Sequence, residues 1–547
     1  MPDAVFVGRG EQLAKLTAHL NQALAGNSQV AFVSGNAGSG KTALLAEFAD
    51  RALQAHPELI IAQGTCNAQT GVGEAYLPFR EILAVLTGGV ETSLAARASA
   101  LENTSRIRKL LARSGLVLID IAPDLVKLVP VAGALIAPLG KSMLKQTGVE
   151  NRLRQVAERK HELLELSAQP INQEHIFEQY YNFLVKIAEF QPLIIALDDL
   201  QWADASSISL LFYLARRLTD QRLMLIGNFR PDEVAAGRAG DSHPTAQLTT
   251  ELTRTRGEII IELERFDSQE ALRFVDDYLD TEPNAFSEGF RNALAHHTRG
   301  HPLFLVELMR DLQERGLLTH DAAGRWIEPR ALDWTQLPAR IDGVIRSRLD
   351  RVESNDRAIL SAASVGGEDF IAEAVARLQN SPDREVVQRL SSDLSRRHQL
   401  VEAREMQRIG SQRISHYGFR HQLIQQFLYG QLDEAERAYL HEDTAAALEM
   451  LYQESPDDIV VALAWHYGAA GVTGKAAHYA RLAGELAANR YANDEAIEHF
   501  NHALALTPKQ NRIDRFVLLL AREAIYGRQG NRAAQAKDLD ELAVIAG

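Results

Sequence analysis

Apolar residues in this chain fall into two rhythms. Short apolar runs at 30–33, 59–62 and 193–197, with further stretches at 223–229 and 258–263, read as strands of a parallel sheet. Around them the period is helical. Leu13, Leu16, Leu20 and Leu24 share one face of a predicted helix over 11–25, and residues 43–48 open another soon after the 30–33 strand. Residues 76–160 are mostly helical by period, broken by turn signals at Gly88-Gly89, Pro123, Pro130 and Pro138. Further helical segments lie at 206–218, 268–279, 286–297 and 303–316. Strands alternating with helices predict an α/β domain, and the three helices after 258–263 predict a lid subdomain.

Beyond residue 337 the pattern changes. The chain stays helix-rich to about 452 with a polar, β-compatible stretch at 400–417, and helices followed by a hairpin suggest a winged helix. Arg396-Arg397-His398 is the nearest approach to a basic recognition helix and matches a DNA reader weakly. The remaining residues are alanine-rich helical hairpins. Ala483, Gly484, Ala487, Ala496, Phe500, Ala503 and Pro508 stand at tetratricopeptide spacings, and Tyr526, Gly530 and Ala534 repeat part of the pattern set by Tyr491 and Ala496. Such repeats need neighbours to bury their faces, so the expectation is a longer native chain or a partner that caps the end.

Candidate chemistry gathers at two strand ends. Gly35-Asn36-Ala37-Gly38-Ser39-Gly40-Lys41-Thr42 follow the 30–33 strand and open a helix at Ala43, which satisfies the G-x-x-x-x-G-K-[ST] pattern in the context it needs. Glycines let the backbone turn its N–H groups toward a triphosphate, and the positive end of the helix adds to that field. Lys41 is placed to reach the β and γ phosphates and Thr42 to ligate magnesium. The second strand end is Leu193-Ile194-Ile195-Ala196-Leu197-Asp198-Asp199, an apolar run closing in two acids at the sheet edge where ligands sit. Asp198 is the candidate magnesium holder beside Thr42, and Asp199 the group that polarises the attacking water. Asp204 reads as a helix cap and Trp202 as a packing residue. Arg230, after the 223–229 strand, is either a sensor of the γ-phosphate or a solvated strand-end arginine. Val7-Gly8-Arg9 is either a surface turn or part of the same site, and Pro302 in Gly300-His301-Pro302 can be a helix start and nothing more.

Composition narrows the classes. At 547 residues the chain has room for about three or four domains. A formal net charge of −14 argues against a broad nucleic-acid surface. The single cysteine, Cys66, excludes an intrachain disulfide framework and cysteine-built metal clusters, and fits a reducing compartment. Residues 1–9 lack the basic and apolar segments of a signal peptide, and the apolar stretch at 128–140 is too short and too proline-broken to span a bilayer. A cytoplasmic protein without a membrane partner is the expectation. The apolar centre at 115–139 reads as core packing, with a partner- or membrane-touching insertion as the alternative.

With these anchors in order, the chain resembles bacterial AAA+ ATPases of the STAND type (signal-transduction ATPases with numerous domains), such as maltose-activator-like and cyclase-associated regulators. The resemblance runs through V-G-R at 7–9, the P-loop at 35–42, L-D-D-L-Q-W-A-D at 197–204, F-R-P-D-E at 229–233, G-x-P at 300–302 and F-R-H-x-L-I at 419–424. It implies an α/β P-loop NTPase domain over 1–264 with an insert at about 76–170, a helical lid over 265–336, a winged helix over 337–452 and tetratricopeptide-like repeats over 453–547. It also implies ATP/ADP and Mg2+ as ligands, Val7 and Arg9 against the adenine, Pro302 touching adenine, Arg230 sensing the γ-phosphate and His421 bonding the β-phosphate of ADP. His421 as an ordinary packed histidine stands beside that role. In such proteins the winged helix folds back on the nucleotide and reads no DNA, and the repeats receive a protein or small-molecule inducer. ADP locks a closed monomer; inducer and ATP open it and permit self-association. Many AAA+ motors carry glutamate where this chain has Asp199, a departure that leaves the turnover rate open; the implied switch itself calls for slow, regulatory hydrolysis. A transcriptional output rests on analogy alone. The alternative reading is a continuously hydrolysing motor or loader acting on nucleic acid or protein, for which Arg216 and Arg217 are candidate trans-acting fingers.

Overall fold

The computed structural model describes residues 6–67, 73–87, 117–118, 121–128, 173–237, 243–263, 266–329, 332–410 and 412–546. They form two compact units. One gathers Met1–Gly10, Asn36–Leu44 and Leu263–Ala480; the other gathers Glu11–Gly35, Leu45–Glu262 and Arg481–Gly547.

The second of these contains the parallel sheet. In chain order it begins with helix α1 (Gly10–Leu24) and strand β1 (Gln29–Ser34), which feeds α2 (Lys41–Ala55) and β2 (Ile60–Thr65). Then come α3 (Leu77–Leu86), α4 (Gln173–Phe190), β3 (Leu193–Asp198), α5 (Ala205–Arg217), β4 (Leu223–Phe229), α6 (Pro231–Ala236), α7 (Pro244–Arg256) and β5 (Ile260–Glu262). All five strands are parallel, in the order β2-β3-β4-β1-β5. The unbroken apolar runs are the reason: Val30 to Val33, Leu193 to Ile195 and Leu223 to Ile226 are buried, so these strands are covered on both faces. Because β4 separates β1 from β3, the P-loop strand and the double-acid strand are next-nearest neighbours, with Asn228 and Phe229 ending the strand between them. Helix α1 buries Leu13, Leu16 and Leu20 as its period predicts, but Ala23 completes the face where Leu24 was expected. Of the apolar stretch 115–139, residues 117–118 and 121–128 are described: Leu118, Ala122, Leu125 and Leu128 are buried, and Arg80 Nε donates to the Leu128 carbonyl at 3.2 Å. The rest of that stretch, and most of the 76–170 insert, lie outside the described residues.

The other unit begins with three helices, α8 (Ser268–Leu279), α9 (Glu288–Thr298) and α10 (Pro302–Glu314), followed by a short hairpin of β6 (Thr319–His320) and β7 (Trp326–Ile327). A capping box between Asp267 and Glu270 starts α8, and Ser287 caps α9. The helices bury one core through Phe274, Phe290, Leu294, Leu305, Leu308 and Leu312. Next are α11 (Ile341–Leu349), α12 (Ser354–Gly366), β8 (Asp369–Ile371), α13 (Ala372–Leu378) and α14 (Asp383–Arg389), the last running on as a π-helix over Leu390–Arg397. The chain then makes the predicted hairpin, β9 (Val401–Ile409) and β10 (Gln412–Phe419). An antiparallel sheet forms in the order β8-β10-β9. Strand β8 escaped the sequence reading because its three residues carry one buried side chain, Phe370, and no alternation to detect. Helices α15 (Gln422–Gln431), α16 (Glu434–Leu451), α17 (Val460–Ala469) and α18 (Thr473–Asn489) follow.

The chain ends in further helices, α19 (Asn493–Leu506), α20 (Arg512–Gln529) and α21 (Arg532–Ala546). Ala483, Ala487, Ala496, Phe500 and Ala503 are buried, as the repeat spacing predicts. Gly484 faces Phe500 so closely that a Cβ there would lie 2.8 Å from the ring, so the small residue is a packing requirement. Among the described residues, no helix is long and apolar enough to cross a membrane.

Candidate functional site

The P-loop hangs between β1 and α2. Gly38 and Gly40 adopt φ of 73° and 95°, a region that favours glycine. Gly38 has a second reason to lack a side chain: a Cβ would sit 2.7 Å from His301 Cε1 and 2.8 Å from Leu303 Cβ. The loop's carbonyls are held by the start of α10. The Leu303 N–H donates to the Gly38 carbonyl at 3.3 Å. His301, the residue that caps α10, accepts from the Phe304 N–H through Nδ1 at 3.2 Å, so Nε2 carries the proton and donates to the Ala37 carbonyl at 3.2 Å. Pro302 occupies the first turn of α10, where its missing N–H costs nothing. Lys41 is buried and donates to the Asn36 carbonyl at 3.2 Å, while Thr42 and Ala43 are exposed at the first turn of α2. Asn36 Oδ1 and Ser39 Oγ are buried without a hydrogen-bond partner among the described residues. Buried polar atoms are ordinarily satisfied, so two orphans beside an ammonium and a helix N-terminus fit a bound polyphosphate.

In the same unit, Val7 packs on the α8–α10 core. The Arg9 guanidinium lies over the Phe266 ring at 4.0 Å, which makes this segment a packed element and not a surface turn. His421 precedes α15, with Nε2 4.0 Å from Glu307 Oε1 on α10. Its side chain keeps 38% exposure, yet desolvation, with Arg310, Arg348 and Arg420 nearby, pushes its pKa to about 4 against the opposing pull of Glu307. It is therefore neutral at pH 7. Glu307 is buried, which disfavours its charge, but Arg348 and Arg310 hold it below the ordinary carboxylate range. Arg310 Nη1 lies 3.0 Å from Glu307, and the buried Arg348 bonds Glu307 and, at 3.0 Å, Glu314.

The acids lie in the unit that holds the sheet. Asp198 closes β3 and is buried; Asn228 donates through Nδ2 to Asp198 Oδ1, and Gln63 donates to Oδ2 at 3.4 Å. Asn228 also accepts the Asp199 N–H through Oδ1 at 3.0 Å. Asp199 sits in the left-handed region at φ 58°, an uncommon state for aspartate, and Gln201 donates to its Oδ1 at 2.7 Å. Gln201 in turn accepts the Arg230 N–H at 3.1 Å. The Arg230 guanidinium lies 4.7 Å from the Trp202 ring centroid, 2.8 Å from Glu233 and 3.8 Å from Asp199. Its Nε has no partner among the described residues. Asp198, Asp199 and Arg230 thus form one cluster, whereas Val7, Arg9, the loop from Asn36 to Ala43, Pro302 and His421 belong to the other unit. Cys66 is buried beside this cluster; burial and then Asp204, Asp198 and Asp199 push its thiol well up, which leaves it inert.

Three residues were absent from the sequence reading of the site. Asn228 is a fully buried amide closing an otherwise apolar strand, a signal present in the sequence but unread. Gln201 stood inside the quoted 197–204 string without a role. His301 was passed over as the variable position of G-x-P. Among the described residues, no group of three or more His, Cys, Asp or Glu side chains is arranged to hold a metal.

Residues 5–226 match the family model described as "AAA ATPase domain". A curated relative, an uncharacterized protein of Rhizobium meliloti (strain 1021), is 23% identical over 328 residues, covering 59% of this chain and 29% of the relative. Among solved structures, the signal transduction ATPase with a tetratricopeptide repeat sensor from Pyrococcus horikoshii is 14% identical with a TM-score of 0.40, over 99% of this chain and 64% of that one. The Aeropyrum pernix ORC1 protein in complex with DNA is 13% identical with a TM-score of 0.28, over 79% and 95%. These likenesses are too distant to assign a function. The chain spans less than a third of its curated relative and less than two thirds of the Pyrococcus chain.

Proposed function

We propose that the P-loop AAA+ domain of this chain, with its parallel five-stranded sheet and helical C-terminus, serves a STAND-type switch: it binds ATP or ADP with Mg2+, hydrolyses ATP slowly, and passes a signal from an inducer to an effector. Lys41 and the N–H groups of the 35–43 loop hold the phosphates, Thr42 and Asp198 the magnesium, and Asp199 orients the attacking water. Bound magnesium neutralises developing charge on the phosphates. Val7, Arg9 and Pro302 line the adenine, Arg230 reads the γ-phosphate, and His421 faces the β-phosphate of ADP. The order α12-β8-α13-α14-β9-β10 supports reading 337–452 as a winged helix, with 1–264, 265–336 and 453–547 as the other domains. The repeats are the seat of the inducer. Opening exposes surfaces for self-association, in a cytoplasmic setting, and no nucleic acid is bound directly; transcription is one possible output.

The observation that carries this reading is that one helix serves two ends of one compact unit. Through His301 and Leu303, α10 holds the P-loop, and through Glu307 it holds Arg348 and faces His421. A change in the loop has a rigid path to the elements that follow the lid. Driving such a switch from 1:99 to 99:1 requires about 5.5 kcal/mol of differential binding. That exceeds one arginine contact, so inducer and repeats contribute the remainder.

The test is the nucleotide released by acid from freshly purified protein, together with its mass in solution. Stoichiometric ADP on a monomer supports the switch. An empty multimer that turns over ATP many times a minute overturns it in favour of a motor. Arg230→Ala is expected to abolish the preference for ATP over ADP while leaving ADP affinity within about threefold.

A further inference from the structure

Helix α5 starts just past the double acid, with residues 199–203 between Asp198 and the helix cap. The N–H groups of its first turn have no intrahelical acceptor. Two carboxyl side chains take them, one from the helix's own cap and one from a distant part of the chain. Asp204, the cap, accepts the Ser207 N–H at 2.8 Å, the Ser207 hydroxyl at 2.5 Å and the Tyr76 N–H at 3.2 Å. Glu495, on α19, accepts the Ser206 N–H at 2.7 Å and the Ser206 hydroxyl at 2.5 Å, across 289 residues of sequence. Both acids are buried, Glu495 at 2% exposure. Glutamate on a repeat helix is ordinarily solvated, and an acid buried at this depth, bonded to another element's orphan N–H, calls for a role.

We propose that Glu495 is a positioning residue for the double-acid segment at 198–204, supplied by the C-terminal helices. It fixes the start of α5, and so the end of the 199–204 connection on which Asp199 is held in its left-handed conformation by Asn228 and Gln201. Movement of α19 therefore reaches the catalytic acids through a single cap. The turnover consequence rests on the ATPase reading above; the structural consequence does not.

The contact also has a pH range. Burial, with Asp204 beside it, raises Glu495 to about 8, and burial raises Asp204 as well. Among the described residues, the other titratable groups near the pair are Tyr76 just before α3, Cys66 after β2 and, one turn along α19, His499. Burial keeps Tyr76 and Cys66 protonated and lowers His499 to about 4, so none offers a positive charge in compensation. Glu495 is thus mostly protonated at pH 7, with Oε1 accepting the Ser206 N–H and the proton on Oε2 shared with the Ser206 oxygen, a pattern that glutamine reproduces by donating from Nε2. Above pH 8 its ionisation beside Asp204 works against the contact.

The test is amide hydrogen exchange of residues 199–207, corrected for intrinsic rates, in the full-length wild type, Glu495→Gln and Glu495→Ala at pH 7 and pH 9. ATP turnover and nucleotide Kd are measured in parallel. Exchange in 205–207 is expected to quicken at least tenfold in the alanine variant at pH 7, with turnover down about tenfold and Kd within threefold. The glutamine variant should match wild type at pH 7 and keep its protection at pH 9, where wild type loses it. Wild-type protection in Glu495→Ala, or faster turnover in that variant, overturns the proposal. If the alanine variant does not fold, equal loss of protection at pH 9 in wild type and Glu495→Gln overturns it. A wild type that shows the exchange pattern but no turnover overturns the ATPase reading alone.

Discussion

His301 Nε2 donates to the carbonyl oxygen of Ala37, so the histidine that caps α10 also fastens the P-loop. The two bonds need opposite ring nitrogens, and the neutral imidazole with its proton on Nε2 supplies both. His301→Ala removes the cap and the loop contact together and is expected to weaken nucleotide binding about 5- to 10-fold, the worth of a net hydrogen bond or so. His301→Asn, which can still cap α10 but is too short to reach Ala37, should keep the fold and lose most of the same affinity. Titration with a fluorescent ADP analogue, beside thermal melting, separates the two effects.

Asn228 holds both acids of the double-acid strand end, one through each atom of its amide. Asn228→Ala leaves the Asp199 N–H and the Asp198 carboxylate each short of a bond. Turnover is expected to fall about 10- to 100-fold with ATP affinity within about threefold, because the proposed function gives phosphate binding to the loop and water positioning to the acids. Asp199→Asn should fall further while still retaining nucleotide. Single-turnover hydrolysis with a parallel Kd measurement checks both variants.

A buried histidine pair sets an acid limit on the helical region. His441 Nδ1 and His466 Nδ1 are 2.9 Å apart, so one ring donates and the other accepts, and the Tyr429 hydroxyl lies 3.0 Å from His441 Nε2. Burial lowers His441 to about 4, with Arg437 adding; burial and then His441 lower His466 to about 3. Both rings stay neutral in the folded protein but protonate near 6.5 once unfolded. Between those values the unfolded chain binds more protons, so stability rises with pH and is lost as pH falls from about 6.5 toward 4. Melting temperatures across pH 4 to 7 should drop on acidification, and His441→Phe/His466→Leu should flatten that slope.

Phe500 occupies the space that a side chain at Gly484 would need. Gly484→Val is expected to destabilise the C-terminal helices by about 1–3 kcal/mol through overpacking. Gly471→Ala, at a position with open space but positive φ, should cost about 1 kcal/mol through backbone strain alone. Chemical denaturation followed by circular dichroism distinguishes the two magnitudes.

The local elements of this protein were set by its sequence. The P-loop needs glycines where φ is positive and a lysine at the helix start, and both requirements are met by adjacent residues. The parallel strands needed only unbroken apolar runs, and the repeat helices only small residues at a fixed spacing. The tertiary structure decided which polar side chains meet. Asn228 reaches both acids because the sheet order places β4 beside β3. His301 reaches Ala37 because α10 packs end-on against the loop, and Glu495 reaches Ser206 because α19 lies against the start of α5. No local pattern encodes these pairings: each joins residues far apart in sequence, and each depends on how whole elements pack.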